Sequence, residues 1–587
     1  MKQQYISNYD KAPFVVVQNE QAIVGWKSII EFLLAQLADS GNKQLVIDTY
    51  QGVKISSIIQ QWASLAPDIK VFDTRQALKD AATIEKMVHP YVTDHPIFGK
   101  MNDLSIEDFL DQEKVAQLKT QLNNNEQQII IGPAASLIAP NGLLVYADMA
   151  RWEIQLRFKR NEATSLGSNN KNASFGYLYR RSFFVDWRVL DRHKQNIFHS
   201  IQFWLDTTVQ DQPKLVRHDA MVKGLKQALR QPFRVVPYFD PGPWGGQWLK
   251  QVCDLPDGPP NYAWAFDCVP EENSLLLKLD NATIEIPSIN LVHEYPQHLL
   301  GEKVYQAFGA YFPIRFDFLD TMDGGNLSLQ VHPLKEYIKE QFGMPLTQDE
   351  SYYIMDAKEG AVVYLGLKDD VEPEQMIKDL EYAYENATAF DADKYVAKWP
   401  IKKHDHYLIP AGTVHCSGTD SVVLEISATP YIFTFKLYDW ERMGLDGKPR
   451  PISIDHGKNV IQWNRRTQYS KENLINKITV LSEGEGWREE RTGLYEGFFI
   501  ETRRYWMSTQ THHTTNDVVN VLNLVEGREA VIESPTQAFE PFVVHYAETF
   551  IVPASVKEYT IRPYGESEGK EIAVLKAFIN THNLPKN

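Results

Sequence analysis

Apolar and polar residues alternate along this chain in two different rhythms. Over roughly the first 210 residues, short apolar runs end in polar turns and are separated by stretches of helical spacing. Leu45-Val46-Ile47 runs into Asp48, Ile129-Ile130-Ile131 into Gly132-Pro133, and Leu143-Leu144-Val145-Tyr146 has the same form. Between Ser28 and Leu37, the residues Ile29, Ile30, Leu33, Leu34 and Leu37 share one helical face. Buried strands alternating with helices predict a parallel, helix-flanked sheet. Trp152, Ile154, Leu156 and Phe158 alternate with Arg151, Glu153, Gln155, Arg157 and Lys159, which predicts a strand with one wet, largely basic face. Ser165 to Ser174, rich in Gly, Ser and Asn, reads as a loop.

The second rhythm begins after a segment over 213–230 that reads as a helix with several basic residues, and after the proline- and glycine-rich stretch from Pro232 to Gly246, which reads as a domain boundary. From about 274 the chain is a series of short strands and turns. Helical patterns interrupt it near 333–342 and 373–386, and the last 120 residues return to short strands such as Phe550-Ile551-Val552. At 587 residues the chain exceeds what one core organises. The pattern divides it into an α/β domain over 1–212, a mainly β domain with a helical insertion over 213–465, and a β domain over 466–587.

Composition narrows the partners. A net charge of -16 argues against general nucleic-acid or anionic-membrane binding, and leaves room for an anionic small molecule in a local basic pocket. Three cysteines, Cys253, Cys268 and Cys416, do not make a disulfide framework. Met1 to Tyr5 lacks an apolar leader, and no apolar run reaches the length of a membrane span, so a cytoplasmic location is expected.

Candidate chemistry gathers in the first β domain. In Asn326-Leu327-Ser328-Leu329-Gln330-Val331-His332-Pro333 the apolar residues alternate with polar ones, so Gln330 and His332 share a side of a strand. Glu350 leads a strand whose apolar positions include Tyr352 and Ile354, and His415 follows the turn Pro410-Ala411-Gly412, where glycine suits a positive φ and a hairpin would aim the histidine. A histidine in a strand is most often structural, and Glu350 alone reads as a solvated charge. Together Gln330, His332, Glu350 and His415 offer nitrogen and oxygen donors without thiolate. That set suits Zn²⁺ with an open position, and also Mn²⁺ or Fe²⁺.

These motifs resemble the class I mannose-6-phosphate isomerases. Leu-Ser-Leu-Gln-Val-His-Pro is similar to the family's Gln-x-His-Pro signature and Pro-Ala-Gly-Thr-Val-His to its second cupin signature. Pro243-Trp244-Gly245-Gly246 resembles its Trp-Gly-Gly element. Leu437-Tyr438-Asp439-Trp440 with Arg442, Gly447 and Pro449-Arg450-Pro451 resembles its Leu-Tyr-Asp stretch. The resemblance spans roughly 230–580, with a second barrel suggested by Asn523 to Gly527 and Glu548 to Ala554. It implies cupin (jelly-roll β-barrel) domains and a metal held by Gln330, His332, Glu350 and His415. The implied activity interconverts mannose 6-phosphate and fructose 6-phosphate through an enediol. Two departures stand out: Thr347-Gln348-Asp349 lacks the lysine that precedes the carboxylate ligand in many members, and Lys436 stands where many have an arginine. The segment Ser427 to Lys436 is also longer than its counterpart. Lys436 is the expected catalytic cation, with Lys335, Arg442 and Arg450 as candidates for phosphate contact.

The first 230 residues lie outside this resemblance. Asp48-Thr49-Tyr50-Gln51-Gly52 after a strand, and Gly25-Trp26-Lys27-Ser28 after Ala22-Ile23-Val24, suggest a Rossmann-like or degenerate P-loop-kinase-like α/β domain; the full phosphate-loop pattern is absent. Other readings are a non-catalytic sugar-phosphate sensor, a bifunctional protein with a nucleotide-binding domain, and a cupin dioxygenase. The last is disfavoured because Gln330 replaces the first histidine of His-x-His.

Overall fold

The protein is described by a computed structural model that covers residues 6–584 except 124, 429–431, 445, 446, 448, 449, 494 and 496. The pentapeptide Met1 to Tyr5, residues 429–431 of the long segment before Lys436, and Pro449 of the Pro-Arg-Pro motif lie outside the described residues. Two compact units emerge, one formed by 14–227 with 271–294, the other by 1–13, 228–270 and 295–587.

The first unit is a mixed α/β structure around a seven-stranded sheet. Its order is Ile23–Val24, Lys214–Arg217, Phe203–Asp206, Leu143–Asp148, Gln44–Thr49, Gln128–Gly132, Lys70–Asp73. The last five are parallel, and the apolar runs read from sequence are its buried central strands. The helix expected from Ser28 to Leu37 spans Trp26–Asp39, with Ile29, Ile30, Leu33 and Leu37 buried.

Three expectations are corrected here. The alternating segment after Arg151 is a helix, Arg151–Lys159, not a strand. Its inward residues Arg151, Ile154, Gln155, Arg157 and Phe158 follow helical spacing, and the two arginines are buried against carboxylates rather than wet. The expected boundary at 212 falls inside the sheet, because Lys214–Arg217 pairs antiparallel with Phe203–Asp206. The helix read over 213–230 begins only after that strand, as His218–Ala228. Residues 271–294 also return to this unit. Ser274–Lys278 and Thr283–Pro287 form a hairpin that adds Phe14–Val16 as a parallel third strand.

The second unit holds two modules of paired β-sheets. In the first, a six-stranded sheet contains Arg315–Asp320, Ser421–Ser427, Glu350–Ala357 and His406–Ile409, and a five-stranded sheet contains Phe435–Tyr438, Leu329–Val331 and His415–Ser417. Helices Lys335–Phe342 and Pro373–Asn386 lie where the pattern placed them. The second module pairs a six-stranded and a four-stranded sheet over a core that includes Met507, Leu522, Leu524, Ile532, Val544, Phe550, Ile561 and Val574.

The stretch from Pro232 to Gly246, read as a domain boundary, is built into this unit. Phe233 exchanges main-chain hydrogen bonds with Ile551, and the buried Arg234 pairs with Glu548 at 2.8 Å and Asp267 at 3.3 Å. The three cysteines are buried free thiols. Among the described residues no helix is long and apolar enough to cross a membrane.

Candidate metal centre

The strand Leu329–Val331 carries the first pair of candidate ligands, and its neighbours position the rest. Gln330 stands directly opposite His415 on one side and opposite Lys436 on the other, so the three side chains share a face of the five-stranded sheet. Glu350 begins its strand in the facing sheet, opposite Ile409 and Ser427. Gln330, His332, Glu350 and His415 are all buried.

The turn before His415 is the organiser, though not as a hairpin: His406–Ile409 and His415–Ser417 belong to different sheets, and Pro410 to Val414 carries the chain between them. Gly412 adopts φ +88°, and its N–H donates to the His332 carbonyl at 2.9 Å. The Ala411 N–H donates to the Asp349 carboxylate at 2.8 Å, which ties the turn to the residue before Glu350. One short turn therefore fixes three candidate ligands relative to one another.

The ligand atoms converge. His415 Nε2 is 2.8 Å from Glu350 Oε1, His332 Nε2 is 3.1 Å from Glu350 Oε2, and the Gln330 amide end is 3.3 Å from His415 Nε2. The donor atoms of His332, Glu350 and His415 lie within 4.8 Å of one another. His332 Nδ1 faces the Phe433 carbonyl at 3.2 Å and His415 Nδ1 the Thr413 carbonyl at 2.8 Å. A ring that donates from Nδ1 leaves Nε2 as a lone-pair donor, the orientation a metal-binding histidine needs. Buried His332 Nε2 and Glu350 Oε1 make no hydrogen bond of proper geometry despite this proximity. Close, buried, unbonded donor atoms facing one point fit a cation better than a hydrogen-bond network. Burial works to raise the Glu350 carboxyl, and the His332 and His415 imidazoles more than reverse this, holding it well below the ordinary range.

A polar layer unread in the sequence supports this centre. Gln348 donates to Glu350 at 2.9 Å and to Glu425 at 3.2 Å. Arg315 pairs with Asp317 at 3.0 Å and with Glu425 at 3.2 Å. Burial and the neighbouring Asp317 and Glu350 carboxylates push Glu425 well above its usual value, the opposite direction from Glu350. The signal was present: Arg315 and Asp317 alternate with Phe316 and Phe318, and Glu425 interrupts the apolar run from Val422 to Ile426.

The four expected cations part company. Lys436 lies beside Gln330, and burial together with Arg450 pushes its amine down to about 7. Arg442 and Arg450 converge on Asp439, each at 2.6 Å, and Ser328 Oγ also donates to that carboxylate at 2.8 Å. Lys335 is exposed in the first turn of its helix.

A two-sheet β module closed around a buried Gln-His-Glu-His donor set defines the class: a β protein with a candidate metal centre. Over part of its length the chain is similar to proteins named mannose-6-phosphate isomerase. It is 29% identical over 222 residues to mannose-6-phosphate isomerase from Streptococcus mutans, covering 37% of this chain and 64% of the relative. It is 27% identical over 235 residues to mannose-6-phosphate isomerase ManA from Bacillus subtilis, covering 40% of this chain and 68% of that one. The chain thus spans just under two thirds of the length of the Streptococcus relative. The solved Bacillus subtilis mannose 6-phosphate isomerase aligns over 59% of this chain and 99% of its own with a TM-score of 0.47 at 18% identity. A protein-family profile described as a domain of unknown function (DUF8485) matches residues 25–230.

Proposed function

We propose that the chain is a metal-dependent aldose–ketose isomerase that interconverts mannose 6-phosphate and fructose 6-phosphate through an enediol, with its centre in a cupin-type barrel. The convergence of His332, Glu350 and His415 beside Gln330 carries this reading, and the named activity of the relatives supplies the substrate. Gln330, His332, Glu350 and His415 would hold the ion, and zinc suits their mixed nitrogen and oxygen donors. A bound divalent ion would supply Lewis-acid polarisation of the sugar oxygens.

The chain's own groups do the rest. Lys436, on the same sheet face as Gln330 and His415, is the group proposed to move the proton between the two carbons. Arg442 and Arg450, held by Asp439, present a fixed positive edge for the phosphate. Exposed Lys335 would contact only substrate that reaches beyond the barrel.

The α/β unit is proposed as a nucleotide-binding type of fold that has lost its phosphate loop. Gly25 starts its helix from the outermost strand, Ile23–Val24, not from the sheet centre. The central strand Gln44–Thr49 instead carries Asp48, whose carboxylate is taken up by Ser136 at 2.6 Å and His193 at 2.9 Å. An anion at this point disfavours a phosphate there. Buried free thiols suit a reducing, cytoplasmic compartment.

A coupled assay that follows fructose 6-phosphate formation from mannose 6-phosphate tests the proposal. Turnover that disappears with a chelator and returns with Zn²⁺ is expected. A metal-loaded, folded protein without turnover would replace the isomerase with a sugar-phosphate sensor.

A further inference from the structure

The second β module carries a polar cavity that the isomerase reading does not use. Its strand Ile572–Ile579 turns Ile572 and Val574 into the core with Met507, Leu522 and Leu524. Two residues on, the same face carries Lys576. On the neighbouring strand Ile500–Met507, Tyr505 stands opposite Val574 and Arg503 opposite Lys576. The apolar core thus ends in two cations placed face to face, an arrangement that destabilises a sheet unless negative charge is supplied.

Arg503 has its own negative charge, with Glu489 and Glu501 each at 2.8 Å. Lys576 has not. It is 4% exposed, and its ammonium donates to the Thr514 carbonyl at 3.1 Å. It lies over the Tyr559 and Phe578 rings, and no carboxylate among the described residues forms an ion pair with it. Burial and the facing Arg503 push the amine down to about 7. Burying a cation without a partner is costly, and a partner arriving from outside would relieve it.

There is room for one. Lys576, Arg503, Glu489, Thr511, His513 and Trp487 line a cavity of about 450 Å³, inside the range of about 300–1,000 Å³ usual for small-molecule sites; Glu489 is the carboxylate already paired with Arg503. Gln510, His512 and Asn516 at the rim offer hydrogen bonds, and the half-buried Trp487 ring offers an apolar face. Among the described residues no metal-type cluster lies in this module, so the site differs in kind from the Gln330–His332–Glu350–His415 centre.

We propose that this cavity is a second ligand site, taking a small polar molecule of sugar size through its oxyanion, a phosphate monoester or a carboxylate, seated on Lys576 and Arg503.

The test is calorimetric titration of the full-length protein with inorganic phosphate and, separately, with gluconate. It is performed on His332→Ala so that the first centre contributes as little as possible. At least one probe is expected to bind, and the two arms distinguish a phosphoryl from a carboxylate ligand. Lys576→Gln in the same background should weaken that binding at least tenfold, the scale of one charge-assisted contact, while Lys576→Arg retains it. Arg503→Gln, at a half-buried position, should give a similar loss and serves if Lys576→Gln does not fold. Absence of binding by both probes, or affinity unchanged in the folded Lys576 or Arg503 variant, would overturn the proposal.

Discussion

The N–H of Gly412 donates to the main-chain carbonyl of His332 at 2.9 Å, so the turn that delivers one candidate ligand is bolted to the backbone of another. The same turn reaches Asp349, next to Glu350, through Ala411. The geometry of the centre is therefore set by the backbone before any ion arrives.

Gly412→Ala should disturb this turn. Its φ of +88° strains any side chain, and an added Cβ would sit 2.8 Å from the Val460 carbonyl and 2.7 Å from Gln462 Cγ. A loss of about 1–3 kcal/mol in denaturant unfolding is expected, together with weaker metal retention. A variant with wild-type unfolding and metal content would show that the turn tolerates what the geometry forbids.

Arg315→Met should be among the most destabilising single changes in the first β module. Arg315 is buried between Asp317 and Glu425, and its removal leaves buried carboxylates without their cation. The expected cost is about 3–5 kcal/mol, read from the urea midpoint at constant slope.

Much of this centre was legible in the sequence because strands have a period of two. Gln330 and His332 had to share a side, and Pro410-Ala411-Gly412 had to turn, whatever surrounded them. That the turn crosses between sheets was not legible, since it depends on which strands pair. Arg315 and Glu425 were overlooked because a polar residue inside an apolar run reads as a break until its partner, over a hundred residues away, is known. Arg151–Lys159 misled for the opposite reason. Its alternation was accidental, and the burial of Arg151 is decided by Asp191, which sequence spacing does not place beside it.

In the α/β unit, His193 and Asp48 give a pH-dependent contribution of known sign. Burial would lower His193, but Asp48 raises it above its ordinary value. Burial would raise Asp48, but His193 and Ser136 bring it below its own. The raised histidine contributes fully below its unfolded pKa of about 6.5 and loses that contribution as pH climbs through its folded pKa. The depressed aspartate contributes above about 3.9 and loses it as pH falls through its folded pKa. His193→Gln should therefore cost most stability between about pH 4 and 6.5 and progressively less above, in melts taken across that range. A penalty that grows from pH 6 to pH 9 would contradict the pairing.

Lys436→Met separates chemistry from architecture. The amine faces the same side as Gln330 and His415 and lies outside the proposed donor set. Turnover should fall by about a hundredfold or more, while bound metal and melting temperature stay near wild type. Retained turnover would remove Lys436 from the reaction.

The most direct measurement is metal content by mass spectrometry of the purified full-length protein, wild type beside His332→Ala, each checked for folding by its melt. Wild type should carry a divalent transition metal in stoichiometric amount, and His332→Ala should carry almost none. A folded His332→Ala protein with undiminished metal would contradict the assignment of the centre to Gln330, His332, Glu350 and His415.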